Sequence, residues 1–157
     1  MFQALLVEDN TAFRNSLSDI LLSYFPLIGV DEATDGGEAL TKVEYLRPDI
    51  VFMDIQLPGE NGLEVTKKIK LVYDYIVIVI LTSYNLPEYR QQAFRNGADC
   101  FISKGDDSCI EDILARIIRT LLGNSVQGRQ AVRRENAEKR AVRQVDHAVI
   151  LGQTAEG

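Results

Sequence analysis

Four short apolar runs of this sequence end in polar residues of complementary types. These residues are Glu8 and Asp9, Asp54, Thr82, and Lys104. Three carboxylates that share a small space need a counter-ion, and oxygen-only ligands suit a hard divalent cation, above all Mg²⁺. The lysine adds a fixed positive charge, and the threonine adds a small hydrogen-bond donor. Together they predict a phosphoryl-transfer site in which Asp54 is the nucleophile and forms an acyl phosphate.

Each of these residues also has an ordinary structural interpretation when it is taken alone. Asp54 would cap the turn that follows it, and Glu8 and Asp9 would cap the first helix. Thr82 would be present for strand propensity, and Lys104 would be a surface charge. The occurrence of all five polar residues at the ends of four strands favours the phosphoryl-transfer site. In that site Lys104 and the cation would offset the negative charge of the phosphoryl oxygens.

The stretch VFMDIQLPGENGLE, Val51–Glu64, explains how Asp54 would be positioned. A short apolar run bounded by turn residues is typical of a buried strand. Leu57-Pro58-Gly59 and Asn61-Gly62 mark the loop after it. Asp54 is therefore expected at the C-terminal end of a strand, the edge at which open parallel α/β sheets build their sites.

Apolar periodicity predicts five strands that alternate with five helices. The predicted strands are Gln3–Val7, residues 28–33, Asp49–Asp54, Ile76–Leu81 and Cys100–Ser103. Three of the predicted helices are Thr11–Tyr24, Glu38–Leu46, which follows an Asp35-Gly36-Gly37 turn, and Leu63–Val72. The fourth is opened by Pro87 and closed by Gly97. The fifth is capped by Ser108 and ends at Gly123-Asn124. This alternation predicts an α/β fold with a parallel, doubly wound sheet. With strand order 2-1-3-4-5, a crevice opens between the first and third strands, where the carboxylates would meet.

Composition limits the class of protein. The chain has 157 residues, 46% hydrophobic and 25% charged, which predicts one domain with a short tail. No apolar run approaches the roughly 20 residues that span a bilayer, and the N-terminus does not resemble a signal peptide. The two cysteines, Cys100 and Cys109, have no metal-ligand spacing. We expect a cytoplasmic protein without membrane contact.

The charge is unevenly distributed along the chain. Residues 1–123 carry 11 Lys+Arg against 19 Asp+Glu, whereas residues 124–157 carry 6 against 4. The acidic body argues against direct binding of nucleic acid by this part of the chain. We expect a domain over 1–123 and a basic tail or linker over 124–157. The tail is either disordered, or helical and used for self-association or for leading into a further domain.

From about Gln3 to Leu122 the sequence resembles a two-component response-regulator receiver domain, whose fold is a flavodoxin-like (βα)5 sheet. Glu8-Asp9 resembles the metal-binding pair of that family, and Asp54 stands at the phosphoacceptor position. The resemblance implies that the backbone carbonyl of Gln56 ligates Mg²⁺. It also implies that Thr82 and Lys104 stabilise the phosphoryl group.

The resemblance extends to positions outside the acidic cluster. Pro58 and Gly62 match the loop after the acceptor, and Phe101 occupies the aromatic switch position that is coupled to Thr82. Gln56 and Tyr84 occupy the positions that tune dephosphorylation in the family. The stretches GGEAL, LRPDIVFMDIQLPGENGLE and NGADCFISK resemble receivers of LuxR/NarL-type regulators. Residues 124–157 are too few for an ordinary DNA-binding effector domain, so we expect either a stand-alone receiver or part of a longer regulator.

This resemblance implies a signalling switch and not an enzyme that turns over a substrate. A histidine kinase or phosphotransfer protein would donate the phosphoryl group, and phosphorylation would change partner binding or homodimerisation. The only chemistry of the chain itself would be self-phosphorylation from a phosphodonor and autodephosphorylation.

Three alternatives compete with the switch. A phosphatase of the haloacid dehalogenase type usually carries a second Asp two residues after its nucleophile, where this chain has Gln56. A flavodoxin-like flavin-binding module would want a Gly/Ser/Thr-rich loop where Glu8-Asp9-Asn10 stands. The third alternative concerns output: the chain would be the receiver part of a DNA-binding transcriptional regulator.

Overall fold

The computed structural model describes residues 1–105 and 110–123. The strands of this part of the chain are β1 (Gln3–Val7), β2 (Gly29–Ala33), β3 (Ile50–Met53), β4 (Val77–Thr82) and β5 (Cys100–Ser103). The helices are α1 (Thr11–Tyr24), α2 (Gly36–Leu46), α3 (Gly62–Val72), α4 (Pro87–Arg95) and α5 (Ile110–Gly123). Strand and helix alternate throughout, as the periodicity of the sequence predicts.

The five strands form one parallel sheet of order β2-β1-β3-β4-β5, so the predicted fold class and strand order are confirmed. Val7 of β1 is in register with Met53 of β3, and Thr82 of β4 is in register with Ser103 of β5. The residues that follow these strand ends therefore reach the same edge of the sheet. Contacts divide the chain within α5, after Ile117, and the sheet lies in the first unit.

Strands β1, β3, β4 and β5 are buried on both faces over most of their length, which is why they read as nearly continuous apolar runs, whereas the edge strand β2 is only partly buried. On one face Met53 belongs to a cluster that includes Val43 of α2 and Ile69 of α3. Its neighbour Phe52 is equally buried, as is Leu21 of α1. Successive strand residues point to opposite faces of the sheet, so Met53 and Phe52 lie on different faces. Since both are buried, helices must cover both sides of the sheet. This packing holds the strand ends, and the residues that follow them, in fixed positions.

The structure corrects the predicted start of α2. Asp35-Gly36-Gly37 is not a separate turn, because the helix begins at Gly36. The Asp35 side chain accepts a hydrogen bond of 2.8 Å from the backbone N–H of Glu38, which makes it the N-cap. Two glycines in a first turn have low intrinsic helix propensity. The Asp35 cap offsets that cost, together with the 2.9 Å hydrogen bond that Glu38 Oε2 accepts from the backbone N–H of Thr34.

Other boundaries move by one or two residues. β4 ends at Thr82, and β3 ends at Met53, so Asp54 is the first residue beyond its strand. Pro87 opens α4 as predicted. The predicted Ser108 cap and the tail over 124–157 lie outside the described residues. None of the described helices combines the length and apolar character that crossing a membrane requires.

Candidate functional site

Three carboxylates meet where β1 and β3 end side by side. Carboxylate oxygens of Glu8, Asp9 and Asp54 lie within 4.8 Å of one another. The backbone N–H of Asp54 donates to the Val7 carbonyl at 3.0 Å, which carries the sheet ladder one step beyond β3. Glu8 and Asp54 are buried, whereas Asp9 is exposed. The cluster is therefore buried on its protein side and open to solvent through Asp9.

The donor set of this cluster fits a hard cation. All three candidate ligands are carboxylates, and Mg²⁺ prefers oxygen ligands while retaining several of its waters. Glu8, Asp9 and Asp54 would hold the ion, and the exposure of Asp9 leaves the site accessible to water. Gln56 is exposed two residues beyond Asp54, and the role of its backbone carbonyl as a ligand stays a prediction.

Lys104 already occupies part of this acidic site. Its Nζ lies 2.5 Å from Glu8 Oε2 and 3.4 Å from Asp54 Oδ2. The backbone N–H of Lys104 donates to the Thr82 carbonyl at 2.8 Å, so the β4–β5 ladder directs the side chain to this edge. The sequence predicts a lysine beside Asp54, but nothing in the residue pattern indicates that Glu8 is the nearer partner of that lysine.

Burial and the negative charge of Glu8 raise the pKa of the Asp54 carboxyl from 3.8 to about 6, although the positive charge of Lys104 and the backbone N–H of Ile55 oppose part of the shift. Asp54 Oδ1 accepts a 2.8 Å hydrogen bond from the backbone N–H of Ile55, and Oδ2 faces Lys104. The turn-capping role and the site role therefore coexist on the two oxygens of one carboxylate.

Thr82 is fully buried at the end of β4. Its hydroxyl oxygen accepts a 3.1 Å hydrogen bond from the backbone N–H of Tyr84. Accepting this bond leaves the hydroxyl proton free to be donated. Thr82 can therefore act as a donor toward a group placed at this edge of the sheet.

The predicted switch and tuning residues lie on and behind this edge. Tyr84 is partly exposed, and its ring packs edge-to-face against Tyr89 with centroids 6.3 Å apart. Phe101 is buried in the core cluster, and the guanidinium of Arg90 lies 5.7 Å from its ring centroid. The functions assigned to these two aromatic residues stay predictions.

The loop after Asp54 folds back onto the strand that carries it. The backbone N–H of Gly62 donates to the Ile55 carbonyl at 2.8 Å. A Cβ atom at Gly62 would lie 1.9 Å from the carbonyl oxygen of Asp54, so only glycine fits there. Asn61 caps α3 by accepting from Leu63 N at 2.7 Å. The contact with Gly62 fixes the backbone directly behind the carboxylate.

Sequence reasoning missed three residues around Glu8. Asn10 is the N-cap of α1, so the interpretation of Glu8 and Asp9 as caps is wrong. The backbone N–H of Asn10 donates to Glu8 Oε1 at 3.0 Å, and Arg14 Nη1 donates to the Glu8 carbonyl at 2.8 Å. The ring of Phe13 lies over Lys104, with 4.1 Å between Nζ and the ring centroid.

The sequence pattern indicates the role of Asn10 more clearly than the roles of Phe13 and Arg14. Asn10 precedes a run with helical periodicity, and asparagine is a preferred N-cap, so this cap was open to prediction. Phe13 and Arg14 read as ordinary residues of an amphipathic helix, because nothing in their spacing points toward Glu8 or Lys104.

Comparison with known proteins agrees with this architecture. The family model described as "Response regulator receiver domain" matches residues 4–118. Oxygen regulatory protein NreC of Staphylococcus haemolyticus is 39% identical over 100 residues, which is 63% of this chain and 46% of NreC. Chemotaxis protein CheY of Halobacterium salinarum is 38% identical over 102 residues, 65% of this chain and 83% of CheY. The chain thus spans about half the length of NreC and most of the length of CheY.

The fold is also found among solved structures. A two-component response regulator of the LuxR family from Aurantimonas sp. SI85-9A1 superposes with a TM-score of 0.68 at 29% identity. The match covers 88% of this chain and 97% of that chain. These similarities confirm the resemblance drawn from the sequence, including its LuxR-type character. The chain therefore belongs to the response-regulator receiver domains of two-component signalling.

Proposed function

We propose that this receiver domain is a switch that accepts a phosphoryl group on Asp54, with Mg²⁺ as cofactor, from a histidine kinase or a phosphotransfer protein. The observation that carries the proposal is the meeting of three carboxylates with an ammonium group at one sheet edge. Their oxygens lie within 4.8 Å of one another, and Lys104 Nζ lies 3.4 Å from Asp54 Oδ2. A cluster of this kind supplies both a nucleophile and the charges that phosphoryl transfer needs.

Asp54 Oδ2 is the proposed acceptor atom because Oδ1 is engaged by the N–H of Ile55. A lone pair of Oδ2 forms the new O–P bond while the P–N bond of a phosphohistidine donor breaks, and the imidazole leaves and takes up a proton from solvent. With a pKa of about 6, Asp54 is mostly ionised at about pH 7 yet poorly solvated. Both properties favour its reaction as a nucleophile.

Lys104 and Thr82 would stabilise the transferred group. The ammonium has three N–H donors and two protein carboxylate partners, so it can turn one donor toward a phosphoryl oxygen. The hydroxyl of Thr82 keeps its proton available for a second oxygen. A bound Mg²⁺ would neutralise further negative charge at the carboxylates and the phosphoryl oxygens.

Phosphorylation would change the binding of partners through a shift that passes from β4 and β5 to the surface of α4. A hydrogen bond from Thr82 to a phosphoryl oxygen would alter the packing between β4 and the buried ring of Phe101. The guanidinium of Arg90 lies 5.7 Å from the ring centroid of Phe101 and 5.5 Å from that of Phe94, and Arg90 would carry the change to the surface of α4. The result would be altered partner binding or homodimerisation. The exposed side chains of Gln56 and Tyr84 would set how fast water removes the phosphoryl group.

A second proposal concerns output. The match covers 46% of NreC, and the Aurantimonas regulator is of the LuxR family. Both observations favour a role as the receiver part of a DNA-binding transcriptional regulator in the cytoplasm. The acidic body of residues 1–123 would not itself contact nucleic acid. This output would be regulated through the same acceptor, Asp54.

The test is intact mass after incubation with Mg²⁺ and acetyl phosphate. We expect one phosphoryl group on the wild-type chain, none on Asp54→Asn, and none when EDTA replaces Mg²⁺. Asp49→Asn is the matched control, because Asp49 precedes the same strand at its opposite end and should leave phosphorylation intact.

Two results would overturn the proposal. Equal labelling of wild type and Asp54→Asn would place the acceptor elsewhere. A wild-type chain that stays unmodified with acetyl phosphate, and also with a panel of phosphorylated histidine kinases, would exclude the switch. Sedimentation of the phosphorylated and unmodified chains would separate dimerisation from altered binding of another partner.

A further inference from the structure

We propose that Phe13 is a positioning residue whose ring holds the ammonium of Lys104 beside Asp54 during phosphoryl transfer. This inference rests on the proposed function of Asp54 as a phosphoacceptor. Lys104 Nζ lies 4.1 Å from the centroid of the Phe13 ring, and its other partners are the carboxylates of Glu8 and Asp54. The ammonium is therefore held from one side by negative charge and from another by an aromatic face.

The position of the ring is fixed by the start of α1. The backbone N–H of Phe13 donates to Asn10 Oδ1 at 2.9 Å, and the backbone N–H of Asn10 donates to Glu8 Oε1 at 3.0 Å. The second oxygen of the same carboxylate, Oε2, accepts from Lys104 at 2.5 Å. One carboxylate thus anchors both the lysine and the helix turn that carries the ring. Phe13 is half-buried, so part of its face is shielded from water.

The ring differs from the carboxylates in one respect that matters for function. An aromatic face attracts a cation through its quadrupole, but it offers no oxygen ligand to Mg²⁺. Glu8 is shared, because it pairs with Lys104 and also belongs to the candidate metal cluster. When Glu8 serves as a metal ligand, its attraction for the ammonium weakens. Phe13 is then a partner of Lys104 that does not compete for the cation.

This role predicts a graded dependence on the electron density of the ring. Phe13→Leu removes the quadrupole and keeps an apolar side chain, whereas Phe13→Tyr keeps an electron-rich ring. Stepwise fluorination of the phenylalanine at position 13 weakens the quadrupole with little change in shape. A mere packing role would respond to the leucine substitution but not to fluorination.

The experiment measures two quantities on the same set of proteins. The first is the proton NMR shift of the Lys104 methylene next to Nζ in metal-free protein, which the ring current should displace in wild type and not in Phe13→Leu. The second is the initial rate of Asp54 phosphorylation by acetyl phosphate at saturating Mg²⁺. We expect Phe13→Leu to lower this rate about two- to fivefold, the range of a partly exposed cation–π contact. Phe13→Tyr should remain near the wild-type rate, and the fluorinated series should fall between them in order of fluorination.

Tyr73→Leu is the matched control. Tyr73 also lies near a cation, with its ring centroid 4.2 Å from the guanidinium of Arg47, but it follows α3 and precedes β4, at the edge of the sheet opposite the strand ends that carry the acidic cluster. Its replacement should leave both the lysine shift and the rate unchanged. A rate that does not vary across the Phe13 series, with wild type phosphorylated normally, would overturn the role of Phe13 alone. Failure of wild type to accept a phosphoryl group from any donor would overturn the proposed function and this role together.

Discussion

The ammonium of Lys104 pairs more closely with Glu8 than with Asp54, at 2.5 Å against 3.4 Å. The side chains of Lys104 and Glu8 are only 13% and 4% exposed, so water screens this pair weakly. The lysine is thus the resident counter-ion of the acidic cluster when no metal is bound. It also pairs with a carboxylate that belongs to the candidate metal ligand set.

Removal of this counter-ion should change the affinity for Mg²⁺. We expect Lys104→Met to bind Mg²⁺ about three- to tenfold more tightly, because a positive charge that competes for Glu8 is lost. The same variant should accept a phosphoryl group more slowly, since Lys104 would no longer offset the phosphoryl charge. Isothermal titration with Mg²⁺ measures the first effect, and intact mass over time measures the second.

Lys42→Met is the control for charge alone. Lys42 pairs with Asp31 and Glu38 at 3.0 Å and 3.2 Å, on a different part of the surface. The substitution Lys42→Met removes the same net charge as Lys104→Met but leaves the acidic cluster unchanged. Equal Mg²⁺ affinities in wild type, Lys104→Met and Lys42→Met would contradict the competition between lysine and metal.

The raised pKa of Asp54 predicts a pH-dependent gain in stability for Asp54→Asn in metal-free protein. The ordinary pKa of an Asp carboxyl is 3.8 and that of Asp54 in the folded chain is about 6, so folding disfavours the charged carboxylate. Wild-type stability linked to this group is fully present below the unfolded pKa and is lost as the pH rises through about 6. Asparagine does not titrate and its oxygen can still accept from Ile55, so the variant avoids this loss.

Urea unfolding of wild type and Asp54→Asn in EDTA tests the direction of this pH dependence. The gain in the free energy of unfolding should approach about 3 kcal/mol at about pH 8 and should shrink as the pH falls toward about 4. A gain that grows toward acid pH would show that Asp54 is stabilising when charged, and would refute the electrostatic account. In the presence of Mg²⁺ the gain should be smaller, because the ion stabilises only the wild-type carboxylate cluster.

The prediction from sequence was strongest where one local pattern decides the outcome. Cys100–Ser103 was predicted with its observed bounds, because an apolar run between polar residues has one interpretation in a parallel sheet. Asp54, Thr82 and Lys104 reach a common edge because parallel strands of known order bring their C-terminal ends together. The predicted start of α2 was wrong because two consecutive glycines are typical of a turn, whereas the Asp35 side chain caps the helix that contains them.

The pairing inside the site was beyond the reach of the sequence. Glu8 and Lys104 are separated by 96 positions, and two other carboxylates compete for the same ammonium. The choice between them depends on distances of about an ångström, which strand order does not determine. The contacts of Phe13 and Arg14 were missed for a related reason, since each depends on the direction of one side chain at the start of α1.

Arg14 should affect metal binding although it does not touch the carboxylate oxygens. It donates from Nη1 to the Glu8 carbonyl at 2.8 Å and from Nε to Glu32 Oε2 at 2.9 Å, so it ties the end of β1 to β2. We expect Arg14→Met to weaken Mg²⁺ binding about three- to tenfold. This loss is at or just below the loss of affinity that follows when a hydrogen bond to a metal ligand is removed. Glu32→Gln retains an oxygen acceptor for Nε and should preserve most of the affinity. Unchanged Mg²⁺ titrations of Arg14→Met would show that the end of β1 keeps its position without this bond.

The hydroxyl of Thr82 should matter more than its shape. Thr82→Val keeps the buried volume but loses the acceptor for Tyr84 N and the donor for a phosphoryl oxygen. We expect a loss of about 1 kcal/mol in the free energy of unfolding and a phosphorylation rate lowered about tenfold or more. Thr82→Ser keeps the hydroxyl and should retain most of the rate. If the serine and valine variants are phosphorylated equally slowly, the methyl group and not the hydroxyl is responsible.

Gly62 and Gly59 provide a contrast between a steric and a conformational requirement within one loop. A Cβ at Gly62 would lie 1.9 Å from the carbonyl oxygen of Asp54, while a Cβ at Gly59 would meet nothing within 4 Å. Gly59 has a φ of 79°, so alanine there costs only the strain of a left-handed conformation, about 1 kcal/mol. Gly62→Ala must displace the backbone that carries the acceptor, and we expect a loss of about 3 kcal/mol or more.

The two glycine variants should also separate stability from function. Displacement of the Asp54 carbonyl moves the carboxylate relative to Lys104 and Glu8, so Gly62→Ala should be phosphorylated more slowly even under conditions where it is fully folded. Gly59→Ala should be phosphorylated at the wild-type rate, because Gly59 is exposed and a Cβ there meets nothing within 4 Å. Urea unfolding and intact mass on both variants measure the two effects. Equal losses in the two variants would mean that the loop shifts freely as a whole, and that the close packing of Gly62 against Asp54 does not hold the acceptor in place.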